Sequence, residues 1–308
     1  MRENIFKTVF AIIFAVVVTI FIFEMGEDDI NTGLSYYDAG EYKKAASVFR
    51  PLAHQGNSEA QFGLGWLYDT GKGVERDYSQ ALRWYLLAAE QGMSSAQYNI
   101  GVIYENGNGV NSDYSEALKW YRLAAEQGLA EAQYNLGSMY FNGDGIEKNP
   151  SEAVRWYLRS ADQGYASAQF NLGNRYYDGD GVPQDFAAAR KWFRDASDQG
   201  YARAHYNLGW MYRNGVGGPK ELDEAIRLYR LAAEKGIVSA QYNLGVLYYL
   251  GEGVPVDYVS AYAWFNLAAA TGDEYSIQYR GIVEEKMTGQ QMTEAQELSR
   301  RWYLQFNM

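Results

Sequence analysis

The chain has 308 residues, a formal net charge of −11 and a sequence pI of about 4.8. This acidic balance argues against nucleic acid as a partner, because no basic surplus is present to displace phosphate counterions; basic or neutral partners stay open. We attribute the acidic excess itself to solubility. The chain contains no cysteine, which excludes disulfides, thiolate nucleophiles and cysteine-based metal sites.

The first predicted element is an apolar helix over residues 5–23. Of these 19 residues, five are Ile, five are Phe and four are Val, and only Lys7, Thr8 and Thr19 are polar. As a helix the segment would be about 28 Å long, close to the bilayer hydrocarbon core of about 30 Å. Residues 1–26 are therefore predicted to form a signal anchor with a single transmembrane helix.

The charges beside this segment predict its orientation. Arg2 and Lys7 flank its N-terminal end, and the next basic residue is Lys43. By the positive-inside rule the N-terminus stays in the cytoplasm and the rest of the chain faces outward. The alternative is a cleaved signal peptide that releases a secreted or periplasmic protein, although no A-x-A-like cleavage site follows Phe23.

From Gly56 onward the sequence repeats with a period of 36 residues, which indicates stacked supersecondary units. Each repeat holds two stretches with the apolar spacing of one helix face, separated by a glycine-rich turn such as residues 106–109. The predicted fold class is all-α, an α/α solenoid of helical hairpins with six repeats over residues 57–272. The glycines that mark the period are Gly56, Gly92, Gly128, Gly164, Gly200, Gly236 and Gly272.

Small and large residues alternate in register with the period, which predicts close packing between helices. One hairpin cannot bury both of its apolar faces, so neighbouring repeats must cover them. The first helices carry glycine at Gly65, Gly101, Gly137, Gly173, Gly209 and Gly245, and the second helices carry alanine at Ala81, Ala117, Ala153, Ala189, Ala225 and Ala261. The large residues include Tyr68 and Trp84 and their equivalents.

The ends of the array depart from this pattern. Residues 27–56 are predicted to form a shorter N-terminal cap in which Pro51 disturbs the second helix. After Gly272 the period stops, and residues 273–308 are predicted to form a C-terminal cap of two helices, 273–286 and 293–306. Thr293 is the predicted N-cap of the latter helix.

One repeat inside the array is also irregular. In residues 201–236 the loop reads Gly-Val-Gly-Gly-Pro and Leu228 replaces the usual tryptophan. This departure predicts a bend or a looser joint at that repeat.

The repeat motif, A-Q-Y-N-I-G-V-I-Y-x-x-G-x-G-V-x-x-D-Y-x-x-A-L-x-W-Y-x-x-A-A-E-Q-G, resembles that of the Sel-one-like repeat (SLR) family, a branch of the tetratricopeptide superfamily. The resemblance covers residues 57–272, and residues 27–56 look like a plain tetratricopeptide unit. It implies an α/α superhelix that binds proteins or peptides as an adaptor, with no small-molecule cofactor. It also implies a Gram-negative source, with the anchor in the inner membrane and the repeats in the periplasm.

No pattern of catalytic or metal-binding residues stands out. The two histidines, His54 and His205, cannot form a zinc site or a histidine-based triad. His205 takes the place of a recurring glutamine and is predicted to make the same structural hydrogen bond. Residues 178–181, Asp-Gly-Asp-Gly, lack the rest of a calcium loop, and the paired glycines follow helices rather than the strand of a phosphate loop. We predict no catalytic site, no metal and no cofactor.

The resemblance also implies where a partner would bind. In related tetratricopeptide proteins the ligand-facing positions lie three before, one after and four after the small residue of the first helix. Aromatic rings there would supply contact area, and neighbouring asparagines would pair with a peptide backbone. The recurring column is Phe62, Tyr98, Tyr134, Phe170, Tyr206 and Tyr242, the irregular set is Trp66, Phe141, Tyr177, Trp210 and Tyr249, and the asparagines are Asn99, Asn135, Asn171, Asn207 and Asn243.

Packing between repeats is an equally good interpretation of the recurring column. The irregular set is better evidence for binding, because packing alone should have repeated it. The sequence thus predicts a membrane-anchored, non-catalytic scaffold for envelope proteins. A periplasmic regulator of a membrane sensor and a cell-envelope hydrolase are the alternatives.

Overall fold

A computed structural model describes residues 30–306 of the chain. All regular structure within that range is α-helical, which confirms the all-α solenoid of repeated hairpins. The chain divides into an N-terminal unit that ends at Lys148 and a C-terminal unit that begins at Asn149. In the part that the structure describes, no helix is long and apolar enough to cross a membrane. The predicted span at residues 5–23 lies outside the described residues.

In the N-terminal unit the consecutive helices from α2 to α7 pack on one another. First and second helices of the hairpins alternate, so α1, α3, α5 and α7 are first helices. The helices are α1 (30–38), α2 (Tyr42–His54), α3 (Ser58–Thr70), α4 (Tyr78–Glu90), α5 (Ser94–Asn106), α6 (Tyr114–Glu126) and α7 (Ala130–Asn142).

The C-terminal unit follows the same scheme, with α9, α11, α13 and α15 as first helices. Helices α8 to α15 pack in chain order, and α16 returns to pack on α14. The helices are α8 (Pro150–Asp162), α9 (Ala166–Asp178), α10 (Phe186–Asp198), α11 (Ala202–Asn214), α12 (Leu222–Glu234), α13 (Val238–Leu250), α14 (Tyr258–Ala269), α15 (Glu274–Glu284) and α16 (Gly289–Phe306).

Local sequence determines where these helices begin and end. The Asp113 carboxylate accepts the backbone N–H groups of Ser115 and Glu116 at 2.9 and 3.0 Å, so it caps the start of α6. The preceding first helix ends at Gly107, whose φ of 71° is left-handed. An aspartate caps α4, α6 and α10 in the same way, Asn149 caps α8, and Glu221 before α12 makes no side-chain cap. A left-handed glycine ends each of the first helices α3, α5, α7, α9, α11 and α13, and all helices from α3 to α13 have 13 residues.

In five hairpins, α3–α4, α5–α6, α9–α10, α11–α12 and α13–α14, the core is built on contact between the first-helix glycine and a second-helix ring. A Cβ atom added to Gly101 would lie 2.6 Å from the ring of Tyr121, so only glycine admits this approach. Tyr121 is completely buried. The ring that fills this space is the residue after the recurring tryptophan, and not the tryptophan to which the sequence pattern pointed.

The last repeat is covered by α16. Trp264 in α14 is 2% exposed and stacks on Trp302 with ring centroids 4.2 Å apart. Phe306 lies parallel to Trp264 at 6.1 Å. Inside the array the next hairpin would cover this ring. At the end of the array α16 covers it instead, so α16 is the terminal cap.

Pro51 disturbs α2 only locally. The helix continues through the proline to His54; Pro51 lacks the N–H that would pair in the last turn, while its carbonyl still accepts from Gln55. In the C-terminal cap, the predicted start of the second helix was wrong. Helix α16 begins at Gly289 and not at Thr293. Its start is capped by Thr288 and Gln291, whose side chains accept each other's backbone N–H groups.

The predicted looser joint at residues 201–236 is also not observed. Helix α12 has the regular length, and Leu228 fills the tryptophan position while remaining 1% exposed. The loop before it is held by Arg190, whose guanidinium donates to the Pro219 carbonyl at 3.2 Å and pairs with Glu221 at 3.4 Å. The same group lies 3.7 Å from the ring centroid of Tyr212. An arginine of the preceding hairpin thus fixes the irregular loop.

Candidate functional site

The predicted site residues lie on the first helices of both units, and the structure gives them one common property. All of them are half-buried, so each has one part in protein contact and one part open to solvent. Their role in binding stays a prediction. The residues are Phe62, Trp66, Tyr98, Asn99, Tyr134, Asn135, Phe141, Phe170, Asn171, Tyr177, Tyr206, Trp210, Tyr242 and Tyr249.

The recurring column packs on the buried ring of its own hairpin. Tyr98 tilts against Tyr121 with centroids 5.7 Å apart, and the same contact recurs in both units. This geometry explains why the column repeats, since each ring supports the ring that fills the glycine gap. The other pairs are Phe62–Tyr85 at 5.7 Å, Phe170–Phe193 at 5.7 Å, Tyr206–Tyr229 at 5.9 Å and Tyr242–Phe265 at 5.7 Å.

The predicted asparagines make hydrogen bonds within the protein. Asn99 hydrogen-bonds the hydroxyl of Tyr85, and Asn135 does the same for Tyr121 in the next hairpin. In the C-terminal unit the Asn207 amide donates to Asn174 at 3.3 Å. Each contact links a first helix to the hairpin before it, so these asparagines join hairpins, and only their remaining hydrogen-bonding capacity is available to a partner.

Trp66 lines a cavity of about 250 Å³ in the N-terminal unit. Its ring meets Tyr37 edge-on with centroids 4.8 Å apart, and Phe62 forms another wall. Glu59, about two turns before Trp66 on the same helix, is an acidic residue that also lines the cavity. The lining residues are Leu34, Tyr37, Phe49, Glu59, Phe62, Gly63, Trp66 and Met93.

Trp210 lines a second cavity, of about 320 Å³, in the C-terminal unit. Tyr177 of the preceding first helix meets Trp210 edge-on at 6.0 Å, and Tyr206 lies one turn away on α11. Volumes near 300 Å³ are typical of small recognition pockets. The lining residues are Asn174, Tyr177, Asp178, Phe193, Tyr206, Asn207, Trp210 and Met211.

The other two members of the irregular set do not line these cavities. Tyr249 joins an aromatic cluster, with Tyr258 at 6.1 Å and Tyr279 at 6.3 Å between ring centroids. Phe141 lies under the Lys148 ammonium at 5.1 Å. Of the predicted residues, Phe62 and Trp66 thus line the first cavity, and Tyr177, Tyr206, Asn207 and Trp210 line the second. Tyr37, Asn174 and Met211 were not among the predicted residues. The spacing between adjacent hairpins places those residues, and no single repeat reveals it.

Asp178 and Asp180, which had suggested a calcium loop, form ion pairs with Arg175 at 3.7 and 3.1 Å. One arginine thus pairs with both carboxylates of the acidic turn and offsets part of its negative charge. Within residues 30–306 no group of three or more His, Asp or Glu side chains is arranged to hold a metal ion.

His205 occupies the glutamine position as predicted, but its hydrogen bond differs. Gln133 and its equivalents donate to the backbone carbonyl eight residues earlier, whereas His205 Nδ1 shares a 2.7 Å hydrogen bond with the Ser197 hydroxyl. Both side chains are buried, so this pair offers no nucleophile to a substrate. Burial lowers the pKa of His205, and the nearby charges of Arg227 and Lys235 lower it further while Asp198 opposes them.

We expect His205→Gln to flatten the pH dependence of stability in mildly acidic solution. The folded chain holds His205 neutral, so the wild type loses stability as pH falls from the unfolded-state pKa of about 6.5 toward the lowered folded-state pKa. Glutamine, which other repeats carry here, does not titrate. Urea unfolding from pH 7.5 to 5 should give a smaller slope for the variant. His54→Gln, at an exposed position, is the control, and equal slopes for wild type and His205→Gln would contradict the prediction.

Comparisons with known proteins agree with this architecture. The Sel1 repeat family model matches six consecutive stretches, residues 58–93, 94–129, 130–165, 166–201, 202–237 and 238–273. Among solved structures, the chain is similar to a Sel1 repeat protein from Oxalobacter formigenes, with 36% identity and a TM-score of 0.70 over 78% of this chain and 96% of that one.

Two further solved structures show weaker likeness. One is c5321, a protective antigen of uropathogenic Escherichia coli with an SLR fold, at 26% identity and a TM-score of 0.44 over 91% of this chain and 92% of that one. The other is immunity protein Pa5087 from Pseudomonas aeruginosa, at 19% identity and a TM-score of 0.45 over 66% and 81%. These scores are too low to carry an argument about function. A search of curated proteins found no match.

Proposed function

Since the chain belongs to the Sel1 repeat family, whose members generally act as protein-interaction scaffolds, we propose that it is a non-catalytic scaffold that binds partner proteins through its first helices. The observation that carries this proposal is that Trp66 and Trp210, one residue after the first-helix glycine, each line a cavity. Half-buried tryptophans in preformed pockets are typical anchors of protein interfaces. Extended peptide segments suit such pockets, because one side chain enters while the backbone lies across the helices.

We also propose that the repeats are presented outside the cytoplasm by the apolar segment at residues 5–23. Its length and composition support a membrane anchor, and its positive N-terminal flank supports an outward-facing chain. A bacterial inner-membrane protein with periplasmic repeats fits this arrangement. A topology reporter fused after Met308 should be active only on the periplasmic side, and activity in the cytoplasm would refute the orientation.

Trp66→Ala and Trp210→Ala should each weaken partner capture by about tenfold or more, because truncating an interface anchor costs about 2 kcal/mol or more. Capture is measured by crosslinking in cells, purification of the complete chain and identification of the crosslinked proteins. Helicity should change little, since both rings are half-buried.

Trp120→Ala and Trp192→Ala are the matched controls. Both are half-buried tryptophans on second helices, one in each unit. They should leave partner capture close to wild type. Equal losses in all four variants, or a collapse of the circular dichroism signal for Trp66→Ala and Trp210→Ala, would show that the two cavity residues serve the core and not the interface.

A further inference from the structure

Charge is unevenly distributed between the two kinds of helix in the N-terminal unit. The first helices α1, α3, α5 and α7 contain five carboxylates and no lysine or arginine. The second helices α2, α4 and α6 contain six basic residues and three carboxylates. The first-helix carboxylates are Asp38, Glu59, Asp69, Glu105 and Glu131, and the second-helix bases are Lys43, Lys44, Arg50, Arg83, Lys119 and Arg122.

Two of these carboxylates, Asp69 and Glu105, lie where one first helix is joined to the next through a tyrosine of the second helix between them. The Tyr85 hydroxyl donates to Asp69 on α3 and contacts Asn99 on α5. One repeat later, Tyr121 bonds Glu105 and is also bonded by Asn135 on α7. Burial raises the pKa of Asp69, as expected for a carboxylate held partly out of water, although the hydrogen bond from Tyr85 and then the charge of Arg76 in the following loop oppose that effect.

The Trp66 cavity lies in the same layer. Glu59 stands beside walls formed by Trp66 and Tyr37, and an aromatic face next to a carboxylate is a favourable environment for a cation. The protein already shows this affinity, since the Lys72 ammonium lies 5.0 Å from the Trp66 ring centroid and 5.1 Å from that of Tyr42. Lys72 is outside the cavity lining, so the cavity itself is open to another group.

We infer that the first-helix surface of the N-terminal unit takes a basic partner, an extended peptide segment that places a lysine or arginine side chain in the Trp66 cavity beside Glu59. This inference rests on the proposed scaffold function and names the chemistry of its partner. A basic side chain would stack on the Trp66 ring and pair with Glu59, while the carboxylates of α5 and α7 attract further positive charge along the segment.

The C-terminal unit gives no such preference. Its first helices α9, α11, α13 and α15 carry four arginines and three carboxylates. Arg213 is already paired with Glu252 at 2.8 Å, and Arg175 is paired with Asp180 at 3.1 Å. The acidic preference is therefore specific to the N-terminal unit and is not a reflection of the overall charge of −11.

The test uses the complete chain and a series of fluorescent dodecapeptides with one fixed aromatic residue. Two further positions are both Lys, both Arg, both Ser or both Glu, and binding is measured by fluorescence anisotropy at about 50 and about 300 mM salt. We expect the Lys and Arg peptides to bind about tenfold more tightly than the Ser peptide at low salt and less so at high salt. The Glu peptide should bind most weakly.

Two carboxylate variants separate the site from bulk charge, because each removes one negative charge. Glu59→Gln changes the cavity, whereas Glu90→Gln changes an exposed residue of the second helix α4. Glu59→Gln should weaken binding of the Lys peptide about three- to tenfold and leave binding of the Ser peptide unchanged. Glu90→Gln should change the affinity for either peptide by less than about twofold. Trp66→Ala should abolish the preference for basic peptides.

The outcomes distinguish the inference from the function on which it rests. Preferential binding of the Ser or Glu peptide, or equal effects of Glu59→Gln and Glu90→Gln, would overturn the basic-partner inference and leave the scaffold function standing. Failure of every peptide to bind would overturn peptide recognition and the inference together.

Discussion

Gly181→Ala should destabilise the C-terminal unit by about 3 kcal/mol. Gly181 follows α9 with φ of +84°, a conformation that costs an alanine about 1–2 kcal/mol. A Cβ atom here would also lie 2.4 Å from the carbonyl oxygen of Pro150, at the start of the second helix α8. Because this neighbour is backbone, the clash must separate α8 from the loop, and overpacking of this kind adds about 1–3 kcal/mol.

Gly164→Ala is a closely matched control for this effect. Gly164 lies in the same unit and has the same φ of +84°, but a Cβ atom there would meet no other atom within 4 Å. The Gly164→Ala variant should therefore lose only the backbone cost of about 1–2 kcal/mol in its free energy of unfolding. The free energies of unfolding of both variants are measured by urea unfolding, monitored by circular dichroism. If the two variants unfold at the same urea concentration, the close approach between loop and helix contributes nothing to stability.

The difference between these two glycines explains why each loop between the helices of a repeat carries a pair of glycines. The first ends the helix, as Gly107 does for α5, and the second allows the loop to touch the hairpin before it. In the N-terminal unit a Cβ atom on Gly109 would lie 2.6 Å from the Cβ of Tyr78. The sequence pattern predicted turns at these glycines. It did not predict their contact with the preceding hairpin, because that contact depends on how the repeats stack, and residue spacing alone does not determine the stacking.

The same distinction decides which parts of the site were predictable. Helix positions follow from periodicity and capping, so the first-helix location of Trp66 and Trp210 could be predicted from their distance to glycine. Trp84 and Tyr85 are adjacent aromatic residues on one helix, and their side chains point in directions about 100° apart. Sequence alone does not tell which of them faces the glycine of its own hairpin, and the structure shows that it is Tyr85, 2.8 Å from a Cβ built on Gly65.

Irregular features were harder to predict because single residues of a neighbouring hairpin control them. The loop before α12 looked loose from its glycines and proline, but Arg190 holds it through Pro219 and Glu221. His205 looked like a plain replacement for glutamine, but Ser197 replaces the recurring alanine opposite it and supplies a hydroxyl. In both places a change in one repeat is compensated by a second change in the neighbouring repeat. Comparing the repeats one position at a time reveals each change but not that the two residues contact each other.

Ala117→Trp is expected to have the largest effect on folding. Ala117 lies on α6, is completely buried and belongs to the cluster formed with Tyr121 and Met139. Interiors are packed at nearly crystalline density, so an indole here forces α6 away from the neighbouring helices α5 and α7. Ordinary overpacking costs about 1–3 kcal/mol, and a change from methyl to indole belongs at or above the upper end.

Leu123→Trp on the same helix is the control, because Leu123 is 45% exposed and an indole there extends into solvent. Its melting curve should stay close to that of the wild type. For Ala117→Trp we expect a lower melting temperature and a broader transition, because hairpins are stabilised by their neighbours and a wedge in one hairpin weakens the hairpins on either side of it. A melting curve unmoved from wild type would mean that the α5–α6–α7 core can expand at little cost, which contradicts the tight glycine–tyrosine contacts described for this unit.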